Sequence, residues 1–170
     1  MCQGGSVSVK ESIERFAPGF SQLSPEEIEA MNTFTIMWTL FEAQVLGSAA
    51  SAKKIIRKSQ HWEEQGHLKE NWLIPHLEYF KARYFQNGEP TRRFEYLHLR
   101  DNDEPDLVRS ILSGNSASPG DELAAMLIIV LRFRNNFFHG LKWAYQMQEQ
   151  QENFERASQL LQRCMTFTGQ

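Results

Sequence analysis

The chain has 170 residues, a length that suits one domain and allows a real core without metal or disulfide staples. It is 41% hydrophobic with 12 Phe and four Trp, and its formal charge of -3 excludes a wholesale cationic nucleic-acid binder, so any such site must be a local patch. Its two cysteines, Cys2 and Cys164, lie at opposite ends and make neither a disulfide framework nor a zinc signature; both read as free thiols of a reducing compartment.

Residues 1–23 read as a flexible N-terminal segment. Met1 to Ser8 is small and polar, and Lys10 to Phe16 suits a short helical turn ended by Pro18-Gly19. Ser24-Pro25-Glu26-Glu27 predicts a helix start: Ser24 caps, Pro25 fits the first position and Glu27 closes the box. That helix runs through Ile28, Met31, Phe34, Ile36, Trp38, Leu40, Phe41 and Val45 to Gly47, with apolar residues on more than one face, which predicts deep packing. A second helix is predicted from Ser51 to about Gln65, with Lys53, Lys54, Arg57 and Lys58 on one side. Leu68 to Phe85 is a third helical segment, rich in Trp72, Tyr79, Phe80 and Tyr84, that Pro75 kinks or divides. Asn87 to Pro90 is a turn, and the alternation in Phe94 to Leu99 predicts a short strand or an extended piece. Glu104 to Leu112 reads as a short helix, followed by a loop of small residues to Gly120.

Asp121 to His139 is predicted as the central helix, because Leu123 to Leu131 is almost continuously apolar and must be surrounded. Gly140 can break the chain there. A last helix is predicted from Lys142 to about Met165, with Trp143, Tyr145, Met147, Phe154, Ala157, Leu160, Leu161 and Cys164 as its apolar stripe and the stretch Gln146 to Glu155 polar and largely solvated. The class is all-α, a helical bundle in one piece from residue 24 to 170. The start lacks a signal-peptide pattern and the longest apolar run is too short to span a bilayer, so no membrane association and a cytoplasmic location are expected.

The chemically distinctive stretch follows the apolar run: Arg132, Arg134, Asn135, Asn136 and His139. Unpaired charge is costly to bury, so these groups must reach a cleft, an interface or partners of their own. Asn135 and His139 share a helix face, whereas Arg134 and His139 lie roughly 140° apart on an ideal helix. The two converge on one ligand only if the helix distorts or the Arg side chain swings round, and Gly140 favours such a distortion. Glu42, an acid in a very apolar helix, is a candidate partner that orients Arg134 or His139; a purely structural ion pair with Arg134 and an exposed position on the polar edge are the alternatives. Arg132 reads as a surface or interface residue.

The string Arg134-Asn135-Asn136-Phe137-Phe138-His139-Gly140 resembles the R-x-x-x-x-H motif of HEPN domains, in its R-N-x-x-x-H form. These are small all-helical proteins, many of them metal-independent endoribonucleases of toxin, anti-phage and RNA-processing systems. The likeness in layout spans Ser24 to Met165, but only the seven-residue string is specific. Leu141 stands where the nuclease partners of minimal nucleotidyltransferases often carry Tyr, which sets the chain apart from that subgroup.

The resemblance implies an endoribonuclease acting through a composite homodimer site without cofactor or metal. His139 would move protons. Arg134 would hold the phosphate with its charged fork. Asn135 would orient His139 or donate to a phosphate oxygen. Asn136, Arg132 and the basic side Lys53, Lys54, Arg57, Lys58 would bind the RNA, though for that basic side a merely solvated face offset by Glu63 and Glu64 is the favoured reading. A cognate antitoxin or regulatory protein is a further expected partner. The competing reading is a non-catalytic helical module that binds a partner protein or nucleotide. His61, His67 and His76 lack the acidic or Cys companions a metal site wants.

Overall fold

The structure, a computed structural model, describes residues 8–68, 71–138 and 150–168. It is an all-α bundle. The helices are α1 (Val9–Phe16), α2 (Pro25–Phe41), α3 (Ala52–Glu64), α4 (Ile74–Tyr84), α5 (Arg92–Glu95), α6 (Pro105–Leu112), α7 (Pro119–Phe138) and α8 (Gln151–Met165). A two-residue hairpin, β1 (Phe85–Gln86) with β2 (Glu89–Pro90), follows α4. Asn87 and Gly88 turn it, both in the left-handed conformation such tight hairpins require.

Helix α2 begins as its capping box dictates. Glu27 N–H donates to Ser24 Oγ at 3.1 Å, and Ser24 N–H donates back to the Glu27 carboxylate at 2.8 Å. Ala30, Met31, Phe34, Trp38 and Phe41 form its buried stripe and pack along α8, where the Phe34 and Phe154 rings stack 5.0 Å apart. The second apolar face expected of this helix is not packed: Ile36 is 60% and Leu40 41% exposed.

Helix α7 lies across α3 and is the buried centre. Every residue from Leu123 to Leu131 is buried, Leu127 and Val130 included. Its start is fixed to α3 by Glu63, whose carboxylate accepts from Ser118 Oγ at 2.8 Å and from the Gly120 N–H at 3.2 Å. A Cβ at Gly120 would displace the Glu63 carboxylate from this position.

Several expectations need correction. Within the N-terminal segment expected to be flexible, Ala17, Phe20 and Leu23 are buried in the main core, so the chain is anchored before α2 begins. Of the two expectations for Pro75, dividing the segment holds and kinking it does not: Pro75 sits in the first turn of α4, after a 3₁₀ turn at Asn71–Leu73. Phe94 to Leu99 is not a strand: it opens with the single turn α5, which buries Phe94 and Leu97 at helical spacing and leaves Tyr96 outside. Phe154, Ala157, Leu160, Leu161 and Cys164 are buried, as expected of the apolar stripe, but in the stretch expected to be largely solvated Asn153 is buried too; its Oδ1 accepts from the Tyr79 hydroxyl at 2.8 Å. Of the last helix, residues 142–149 lie outside the described residues.

Candidate functional site

The end of α7 presents its polar residues to different neighbours. Arg132 is 2% exposed, which overturns its placement at the surface. Its guanidinium donates to the Leu97 carbonyl at 3.0 Å, to Asp103 Oδ2 at 3.2 Å and to Asn136 Oδ1 at 3.1 Å. Burial lowers its pKa, against the opposing pull of Asp103. Asn136, one helical turn on, also donates to the carbonyls of Tyr96 and Leu97, at 3.2 Å each. Arg132 and Asn136 therefore lock the α5 corner onto α7. Substrate contact is not available to Arg132, and the Asn136 amide is occupied internally.

A second face carries Phe133 and Phe137. The first lies beside Phe80 with ring centres 6.2 Å apart, the second edge-on to Phe154 at 6.1 Å. These contacts bind the end of α7 to α4 and α8.

Arg134 faces the end of α2. Its side chain is 35% exposed, and a guanidinium nitrogen lies 3.8 Å from Glu42 Oε2. Another guanidinium nitrogen donates to Asn135 Oδ1 at 3.1 Å. Glu42 is itself fixed from two further directions, accepting from Trp38 Nε1 at 3.2 Å and from the Ala50 N–H at 2.9 Å. A partly open ion pair of this length is weak, worth roughly 0–1 kcal/mol, so Arg134 is oriented rather than sequestered. The structure thus brings together Arg134, Asn135 and Glu42. His139 lies outside the described residues.

Glu42 begins a π-helical turn, Glu42–Leu46, closed by Gly47 in the left-handed conformation. Ser48 and Ala49 follow with φ of 68° and 52°. Such a run is unfavourable for side-chain-bearing residues and must be held in place. Two side chains hold it: Glu42 through Ala50, and Lys54, whose ammonium donates to the carbonyls of Leu46 at 3.3 Å and Ser48 at 2.6 Å. Lys54 is thus engaged in capping this turn, while Lys53 and Arg57 are exposed and Lys58 lies over the Trp62 ring at 5.4 Å.

Sequence reasoning missed Asp103 and Trp38. Trp38–Glu42 and Arg132–Asn136 are legible as same-face pairs four apart. Asp103 has no such signal, because it meets Arg132 across a sequence separation of 29. Among the described residues, no group of three or more His, Cys, Asp or Glu is placed to hold a metal, and no helix is long and apolar enough to cross a membrane. No family model, curated protein or solved structure matches the chain.

Proposed function

We propose that this chain is a metal-independent endoribonuclease of the toxin, phage-defence or RNA-processing type, a HEPN-like protein working as a homodimer. The observation that carries this reading is Arg134, a partly exposed guanidinium near the end of a helix whose middle is wholly buried, held by Glu42 and Asn135 five residues before His139. Its ion pair with Glu42 is long and partly open, so the guanidinium can turn to a phosphate.

The chemistry needs only these side chains. His139 takes the proton of a ribose 2′-hydroxyl, whose oxygen attacks the adjacent phosphorus. Arg134 stabilises the added negative charge on the phosphorane oxygens. The P–O5′ bond breaks, the His139 of a second copy supplies a proton to the leaving oxygen, and a 2′,3′-cyclic phosphate remains. Exposed Ile36 and Leu40, on the same helix as Trp38, supply an apolar surface for that second copy.

The pure protein incubated with total RNA in EDTA should release fragments ending in cyclic phosphate, and light scattering should give twice the mass of the chain. A monomer at micromolar concentration argues against the composite site. A second reading, a non-catalytic helical module, is favoured by the internal engagement of Arg132 and Asn136. It predicts binding of a partner protein or nucleotide with no cleavage of any RNA.

A further inference from the structure

The turn that carries Glu42 also walls a second feature. Val45 and Leu46 border a groove of about 510 Å³ whose other side is α3, with Arg57, Lys58 and His61 among its lining residues. Its lining is mainly cationic: Arg57 and Lys58 outnumber the one lining acid, Glu64, at the rim, and exposed Lys53 lies one turn before Arg57 on the same side of the helix. The other acid of this helix, Glu63, is turned away to Ser118 and Gly120. Lys54 stiffens the wall by tying Leu46 and Ser48 to α3. The groove and Arg134 are joined by a single turn of backbone: Glu42 at its start contacts Arg134, and Leu46 at its end borders the groove.

We propose that this groove binds single-stranded RNA, its phosphates along Lys53, Arg57 and Lys58 and one base against Val45 and Leu46, and so leads the strand to Arg134. The inference rests on the ribonuclease reading for the identity of the strand. A cationic wall facing an apolar floor matches a strand whose bases are unstacked, because the floor covers a base face while the cations track the backbone. A duplex hides its base faces and offers the floor nothing. An acidic peptide would use the cations and leave the floor unoccupied.

The test is binding of a short fluorescent 2′-O-methyl oligoribonucleotide, which lacks the 2′-hydroxyl and cannot be cleaved by this route, followed by anisotropy over a salt series with the full chain. In Lys53→Gln/Arg57→Gln/Lys58→Gln the Kd should rise roughly tenfold or more, and the slope of log K against log salt should fall by about two. If removing Lys58 from Trp62 prevents folding, Lys53→Gln/Arg57→Gln should lose about one to one and a half of that slope. Val45→Ala, at the more accessible of the two floor residues, should weaken binding without changing the slope. Equal affinity of wild type and the charge variants overturns the groove, whatever the protein does to RNA. So does an absence of oligonucleotide binding by wild type, or displacement of the strand by poly-glutamate at lower concentration than by RNA. Charge-dependent binding with no cleavage of unmodified RNA keeps the groove and removes the nuclease reading.

Discussion

Replacing Arg132 by Met removes the cation and keeps the length of the side chain. The pair it breaks is almost dry, with the Arg132 side chain 3% and that of Asp103 8% exposed. Asp103 keeps one hydrogen bond, from the Arg100 N–H at 2.9 Å, and Leu97 O keeps its donor in Asn136, but Asn136 Oδ1 loses Arg132. Removing one member of a buried pair costs about 3–5 kcal/mol, because the other charge is left without compensation. With a urea dependence of roughly 2 kcal/mol/M, the unfolding midpoint should fall by about 1.5–2.5 M at unchanged slope. The double variant Arg132→Met/Asp103→Leu should recover much of this, since two apolar groups in one dry site are often as stable as the ion pair. The assay is urea unfolding followed by tryptophan fluorescence and far-UV circular dichroism. A single variant within about 0.5 M of wild type, given the slope cited above, would show that this pair does not hold the α5 corner to α7.

Three further outcomes follow from the same coordinates. Ala49→Gly should raise stability by about 0.5–1 kcal/mol, because relief of the left-handed strain exceeds the entropy cost of Gly; a lower melting temperature speaks against a strained turn. Burial, then the charge of Arg156, lowers the His76 pKa below its ordinary 6.5, so its contribution to stability is complete above that pH and is lost as pH falls toward the folded value; His76→Gln should flatten the stability profile below about pH 6.5, and an unchanged profile rejects this. Burial also pushes the Cys164 thiol up, so in a Cys2→Ser background it should react with a thiol reagent only as fast as the protein opens, and rapid stoichiometric labelling in buffer would contradict its position.

The helices were legible where one local rule decides them. Ser24 with Glu27 marks a start, and the unbroken run Leu123 to Leu131 can only be an interior helix. Phe94 to Leu99 misled because its alternation hides a helical pair, Phe94 and Leu97, whose corner is stabilised from outside by Arg132 and Asn136. Arg132 misled for the complementary reason. An arginine after an apolar run is placed at the surface by default, and its burial depends on an acid 29 residues away. At the candidate site, the nearness of Glu42 to Arg134 was legible as a partnership between two isolated charges. The π-helical turn that sets Glu42 was not, because it is closed by Ala50 and Lys54 through backbone groups that no side-chain pattern announces.

One comparison tests the ribonuclease proposal directly: fragment yield from tRNA, rRNA and mRNA in EDTA for wild type, His139→Ala and Arg134→Ala, with melting temperatures matched. Wild type should produce cyclic-phosphate ends, and His139→Ala should be slower by about two to four orders of magnitude with little loss of stability. Arg134→Ala should also be impaired, with Arg134→Lys rescuing only in part because an ammonium lacks the fork. Equal cleavage by wild type and His139→Ala would contradict the proposal and leave the end of α7 as a binding or structural cluster.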